Sequence, residues 1–227
     1  MISINYNSFE HLDEIKKQKI INAGFSVFAE YGYAKASVED IVRLAGISKG
    51  SLFYYFKSKQ NFFNYLYDYC TELMKKTINS PGPDGRPSYM QYTDFFERLN
   101  AIQLLKMKAN LQYPQMAAFI KKVIFDTSAE AQEAISNIIR KNTADSITDF
   151  MKGLDLSRFK DGVDPMMVLQ LLIWSSEGCV NQIQMQTLAS SGQRQAEPDF
   201  EKVVELYYKY VELFRNNFYK EEYIRSQ

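Results

Sequence analysis

Three lysines, three serines and two tyrosines fall within twelve residues, Ser48-Lys-Gly-Ser-Leu-Phe-Tyr-Tyr-Phe-Lys-Ser-Lys59, and no acid lies among them. Ammonium and hydroxyl groups at this density donate to oxyanions, and the anion that presents such groups in rows is a phosphate backbone. Lys49 is placed to reach the acceptor edge of a guanine, and Tyr54 and Tyr55 to donate to phosphates or to lay a ring on a thymine methyl. Gly50 costs a helix about 1 kcal/mol relative to alanine, and close approach of a helix terminus to base edges is a reason to accept that cost. With Lys49, Lys57 and Lys59 lacking an acidic partner in this window, a local charge of plus three is expected on a chain whose 27 basic and 27 acidic residues cancel. The electrostatics of any nucleic-acid contact therefore reside in this patch and not in the chain as a whole.

Other chemistries are poorly provided for. His11 is the single histidine, Cys70 and Cys179 are the two cysteines, and no GxSxG, phosphate loop or metal-spaced cluster occurs. No catalytic constellation, cofactor or metal is expected, and Glu177 and Asp145 read as polar faces or ligand contacts. Two distant cysteines suit a reducing compartment. Met1 to Phe9 lacks a basic region followed by an apolar core, so no signal peptide is expected; Met166 to Trp174 is too short for a membrane span. A cytoplasmic protein with no membrane partner is the expectation.

The elements that must position the basic segment are short and capped. Ser37 caps a helix whose buried side is expected from Val38, Ile41, Val42, Leu44 and Ala45, with Asp40 three residues on from the cap. Gly46 supplies the turn and Ser48 caps the next helix, which places Leu52 and Phe56 on the core side. This is the format of a helix-turn-helix. A preceding helix runs from His11 to about Tyr31 and is stopped by Gly32, after which Tyr33 folds back. A following helix is capped by Ser58 and runs to about Ile78. Residues 79–88, with three prolines and two glycines, break the chain. Amphipathic helices follow at Tyr89–Lys108, Pro114–Asp126, Ala129–Lys152, Pro165 to about Ser190 and Pro198 to about Glu222. An all-α fold of about nine helices is predicted, since period-two alternation is absent. The domains divide as 1–58, 59–87 and 88–227.

The first seventy or so residues resemble the DNA-binding domain of the TetR family of bacterial transcriptional regulators. The resemblance is carried by Ile21, Ala23, Phe28, Gly32 and Tyr33, by Ser37, Val38, Ile41, Ala45, Gly46 and Ile47, and by the block from Ser48 to Lys59. It implies base contacts from Lys49 and Gly50, phosphate contacts from Ser37, Ser48, Ser51, Tyr54 and Tyr55, and an anchoring amine from Lys59. Gly24, Phe53 and Gln60 depart from the family's usual alanine, tyrosine and glutamate; the first is expected to loosen its helix and the second to remove a phosphate-bonding hydroxyl.

The resemblance also implies a homodimer through the last two long helices, a palindromic double-stranded operator, and a small-molecule effector held in the second domain. On the last helix Phe200, Val203, Val204, Tyr207, Val211, Phe214 and Phe218 form a stripe at three-and-four spacing that serves a core or that interface. For an apolar or amphipathic effector the candidate contacts are Tyr92, Phe96, Met107, Tyr113, Met116, Phe119, Trp174, Glu177 and Asn181. Each of these fills a core equally well, because methionine and aromatic side chains line adaptable pockets and pack interiors alike. Helix 58–78 is the expected lever between effector and reader. The rival readings are a helical protein-interaction module without operator preference and a small-molecule-processing enzyme.

Overall fold

The structure, a computed structural model, describes residues 6–126, 128–191 and 199–224. Among these are ten α-helices and no strand: α1 (Asn7–Glu10), α2 (Glu14–Lys35), α3 (Val38–Ala45), α4 (Lys49–Phe56), α5 (Lys59–Ile78), α6 (Phe95–Gln112), α7 (Pro114–Phe125), α8 (Ala129–Met151), α9 (Pro165–Ser191) and α10 (Phe200–Phe218). The all-α expectation therefore holds. The additional helix is α1, which is separated from α2 because Asp13 caps the latter, its carboxylate accepting the Lys16 N–H at 2.9 Å. Helix α6 starts at Phe95, after a 3₁₀ turn at Ser88–Gln91, and not at Tyr89 as the apolar spacing suggested. Pro198, expected in the first turn of the last helix, lies outside the described residues.

Two compact units emerge. The first takes in the chain up to Ser88 together with Gln103–Asp149, and the second takes in Tyr89–Ile102 together with the chain from Phe150 onward. The core of the first unit gathers Ile20, Ile21, Phe25 and Phe28 of α2, Ile41 of α3, Leu52 and Phe56 of α4, Phe62, Phe63 and Leu66 of α5, and Met116, Phe119 and Val123 of α7. The Phe119 ring lies 5.2 Å from that of Phe25, 6.3 Å from Phe28 and 5.4 Å from Phe63. Gly24 lies under this packing: a Cβ there would stand 2.6 Å from Leu66 Cδ1 and 2.7 Å from the Phe62 ring. The glycine therefore makes room for α5 to lie close on α2.

Backbone turns are where glycine is required. Gly32 has φ 70° and ψ 175°, which interrupts α2 one turn before its end. Gly46 adopts φ 67° and ψ 38° after α3, the left-handed turn between the two helices. One helix face departs from the sequence reading: Leu44 is 53% exposed and does not join the buried side of α3. Its neighbours Ile41 and Ala45 already fill that side of so short a helix.

In the second unit, Phe95, Phe96, Phe159 and Tyr219 form a buried ring cluster, with Phe159 and Tyr219 4.9 Å apart at 88°. The Asp94 carboxylate caps the start of α6 through the Glu97 N–H and accepts from Arg158 Nη1 at 2.9 Å. Arg98, 1% exposed, donates to the carbonyls of Tyr92, Phe150, Lys152 and Met90. A buried guanidinium is tolerable when its donors are matched in this way. Helices α9 and α10 pack on each other. Of the α10 stripe Val203 alone is buried, while Phe200 and Val204 remain exposed on α10 and Met166, Met167, Trp174 and Met185 on α9. No helix among the described residues is long and apolar enough to cross a membrane.

Candidate nucleic-acid interface

Helices α3 and α4 are built by local hydrogen bonds that their sequences supply. Ser37 Oγ accepts the Asp40 N–H at 3.4 Å and Ser48 Oγ accepts the Ser51 N–H at 3.1 Å. These caps satisfy backbone donors that the helix leaves orphaned. The two serine hydroxyls of α4, Ser48 and Ser51, also share a 2.9 Å hydrogen bond. Ser58 caps α5 in the same way, accepting the Asn61 N–H at 3.1 Å. Leu52 and Phe56 turn inward, so α4 is held along one face and its first turn is left outside.

That first turn consists of Ser48, Lys49 and Gly50, all exposed. A Cβ at Gly50 would meet nothing closer than the Ser48 hydroxyl at 3.8 Å, and its φ is not in the left-handed region. Neither backbone geometry nor packing requires glycine there. The helix thus leaves one position of its exposed N-terminus, Gly50, without a side chain, next to the positive end of its dipole.

The remaining predicted contacts are placed unequally. Tyr54 is 61% exposed and its hydroxyl lies 3.5 Å from the Ser8 hydroxyl. Tyr55 is half-buried, its ring 5.7 Å from that of Phe9. Ser37 and Ser51 are also half-buried. Lys59 points inward: its amine donates to the carbonyls of Tyr33 at 2.9 Å and Ala36 at 3.2 Å, and lies 4.5 Å from the centre of the Tyr33 ring. It fastens α5 to the turn that precedes α3.

One of the three lysines departs from the unopposed charge that the sequence window suggested, while the other two donate to carbonyl oxygens, which leave their charges in place. Lys49 is ion-paired with Glu39 of α3 at 2.5 Å, and the Lys57 amine donates to the Tyr54 carbonyl at 2.9 Å. Glu39 stands ten positions upstream, and it is the fold of the helix pair that brings it to Lys49. The Lys49 hydrogen bond, the Glu39 backbone amide and the nearby ammonium together hold the Glu39 carboxyl below its ordinary range.

A second residue outside the sequence reading is Asp126, the C-cap of α7. Its Oδ2 accepts the Tyr33 N–H at 2.8 Å and its Oδ1 accepts the Ser128 N–H at 2.9 Å. Burial acts to raise its pKa, and these two N–H bonds, the Ser128 side chain and the Lys122 charge together outweigh it, so the carboxyl is held low. The turn after Gly32 is thus gripped by α5 through Lys59 and by α7 through Asp126.

The proposed effector contacts are divided between the two units. Met116 and Phe119 are core residues of the first unit, Phe96 belongs to the ring cluster of the second, and Tyr92, Met107, Trp174, Glu177 and Asn181 are exposed. Tyr113 is half-buried against the first unit's core. An open groove of about 620 Å³ in the first unit is lined instead by Glu14, Ile15, Gln18, Lys19, Asn22 and Leu44, among others. Among the described residues no group of three or more His, Cys, Asp or Glu is placed to hold a metal ion.

Residues 20–66 match the family of bacterial regulatory proteins, tetR family. The uncharacterized HTH-type transcriptional regulator YuxN of Bacillus subtilis is 28% identical over 137 residues, a stretch that covers 56% of this chain and 46% of that protein. The likeness therefore spans less than half of that relative's length. Among solved structures, a TetR transcription regulator from Haloarcula marismortui aligns with a TM-score of 0.64 at 19% identity, covering 92% of this chain and 100% of the other. The transcriptional regulator FadR of Bacillus subtilis, in complex with stearoyl-CoA, aligns with a TM-score of 0.55 at 19% identity, covering 86% and 96%. With capped α3 and α4, the left-handed Gly46 turn and the matched segment in agreement, residues 20–66 form a helix-turn-helix segment of the kind found in bacterial regulatory proteins of the tetR family.

Proposed function

We propose that the protein is a ligand-responsive transcriptional regulator that binds a palindromic operator as a homodimer and is released from it by a small apolar or amphipathic effector. The observation that carries this reading is the exposed first turn of α4, bare of a side chain at Gly50, on a capped helix pair in a segment matched to TetR-type DNA-binding domains. Lys49 and Gly50 meet base edges, and Ser37, Ser48, Ser51, Tyr54 and Tyr55 meet phosphates. Lys59 acts through the turn that it fastens. In functional terms residues 1–58 are the reader, 59–87 the connection and 88–227 the effector and dimer part, within a cytoplasmic protein.

Support for the dimer comes from the apolar residues that α9 and α10 leave exposed in the single chain, Met166, Met167, Trp174, Phe200 and Val204 among them. A two-fold pair of readers matches half-sites about one helical turn, ~34 Å, or somewhat more apart. Support for an amphipathic effector comes from the likeness to a regulator solved with stearoyl-CoA. Effector and operator are then linked reciprocally, each weakening the other by the same factor, with α5 as the lever.

The test is selection of duplexes from a randomised library by the full chain, followed by titration at controlled salt. Enrichment of an inverted repeat bound far more tightly than random duplex is the expected result. Equal affinity for all duplexes with a shallow salt slope would favour the protein-interaction reading instead. Native mass measurement of the gently purified protein then identifies the co-purified effector by its mass.

A further inference from the structure

Glu39 stands in the first turn of α3, yet its Oε1 meets the Lys49 ammonium and its Oε2 accepts the Ser37 hydroxyl at 3.2 Å. The carboxylate is thus held from its own helix as well as by Lys49, on the pair of helices that form the reader. Its side chain is 66% exposed and that of Lys49 is 55% exposed, so neither charge is needed to complete a core. A carboxylate beside the helix terminus that is to meet a polyanion is unfavourable unless it serves the contact.

We propose that Glu39 is a specificity-determining residue of the DNA interface, which withholds the Lys49 ammonium from phosphate and, together with it, reads one G·C pair. The inference rests on the DNA-binding reading given above. On arbitrary sequence, Lys49 reaches a phosphate only by leaving Glu39, so one ion pair is exchanged for another and the freed carboxylate faces the backbone. At a G·C pair no such exchange is needed. Lys49 donates to guanine O6 or N7 while Glu39 accepts from the cytosine N4 amino group, the acceptor role that carboxylates fill in the major groove. Lysine alone has a non-directional charge that any phosphate satisfies; the adjacent carboxylate converts it into a base reader by taxing the wrong contact.

The experiment compares the full-length wild type with E39Q, D40N and K49A by library selection and by titration against one random-sequence 30-base-pair duplex across a salt series. E39Q is expected to bind the random duplex about two- to five-fold more tightly, the scale of one exposed ion pair. Its salt slope should steepen by about 0.9, one added phosphate contact. The selected sites should lose their G·C preference at one position of each half-site. D40N removes an equal charge from α3 at a residue paired with Arg43 and not with Lys49, so it serves as the control for bulk charge. If D40N reproduces the E39Q behaviour, or if E39Q leaves slope and selected sequence unchanged, the proposal is overturned. Failure of the wild type to select any duplex would instead refute the DNA-binding reading. Matched thermal melts of the variants exclude misfolding, and a charge-swapped E39K/K49E protein, which retains the pair with its polarity reversed, is expected to lose the G·C preference as well.

Discussion

Replacing Gly50 by alanine sets the needs of the fold against those of the interface. Gly50 is the second residue of the eight-residue α4, and an added Cβ meets only the Ser48 hydroxyl at an ordinary 3.8 Å. No steric cost offsets the gain in helix propensity, which is about 1 kcal/mol in a helix interior and roughly half that in a first turn. For a chain of this size about 0.5 kcal/mol raises Tm by about 1–2 °C. The same methyl stands where the helix terminus is to meet base edges, and a loss of operator affinity of at least tenfold, about 1.4 kcal/mol, is expected. Circular-dichroism melts and fluorescence-anisotropy titration of the selected duplex at fixed salt read the two effects separately. A lowered Tm would show that the fold itself uses the glycine. A raised Tm with unchanged affinity would show that DNA does not approach there, and either outcome refutes the reasoning.

Other substitutions test the supports of the reader. Gly24→Ala should lower the urea midpoint, because overpacking against Phe62 and Leu66 costs about 1–3 kcal/mol and exceeds the helix gain; adding F62L should recover part of the loss. Asp126 has a folded pKa below its unfolded value, so its contribution is fully present above about pH 4 and is lost as pH falls through the folded pKa. Urea midpoints measured from pH 3 to pH 6 should therefore fall less steeply on the acid side in Asp126→Asn, and Asp126→Ala should cost about 1–3 kcal/mol by orphaning the Tyr33 N–H. Lys59→Met should destabilise by about 1–2 kcal/mol through the Tyr33 and Ala36 carbonyls and weaken every duplex alike, whereas Lys49→Ala should leave Tm unchanged and relax base preference in parallel selections.

What could be read in the chain and what could not divides along sequence separation. The caps at Ser37, Ser48 and Ser58 and the turns at Gly32 and Gly46 are local devices, completed within three or four residues, and the structure has all of them. The Glu39–Lys49 pair spans ten residues and depends on the angle of one helix to the next, so a window over 48–59 saw three free lysines. Asp126 reaches Tyr33 across 93 residues, and no local pattern marks an aspartate as the partner of a distant amide. Arg98 and Asp94, both 1% exposed, contradict the rule that charges lie outside, since burial follows from carbonyls and a guanidinium that tertiary packing brings to them. The aromatic and methionine residues between 89 and 120 were ambiguous for a related reason: an apolar side chain carries no mark of which core it will enter, and Phe119 entered that of the reader.

The position of Phe119 bears on how portable the reader is. Phe25, Phe28 and Phe63 each rest a ring on Phe119, so a piece of chain ending before α7 would carry three phenylalanines with one side bare. Such a fragment would be prone to stick to itself, and a chimera joining these first residues to a foreign partner would inherit the same defect. Grafting the reader onto another sensor accordingly calls for taking α7 along, or for choosing a donor whose equivalent helix offers a ring of the same size at that spot.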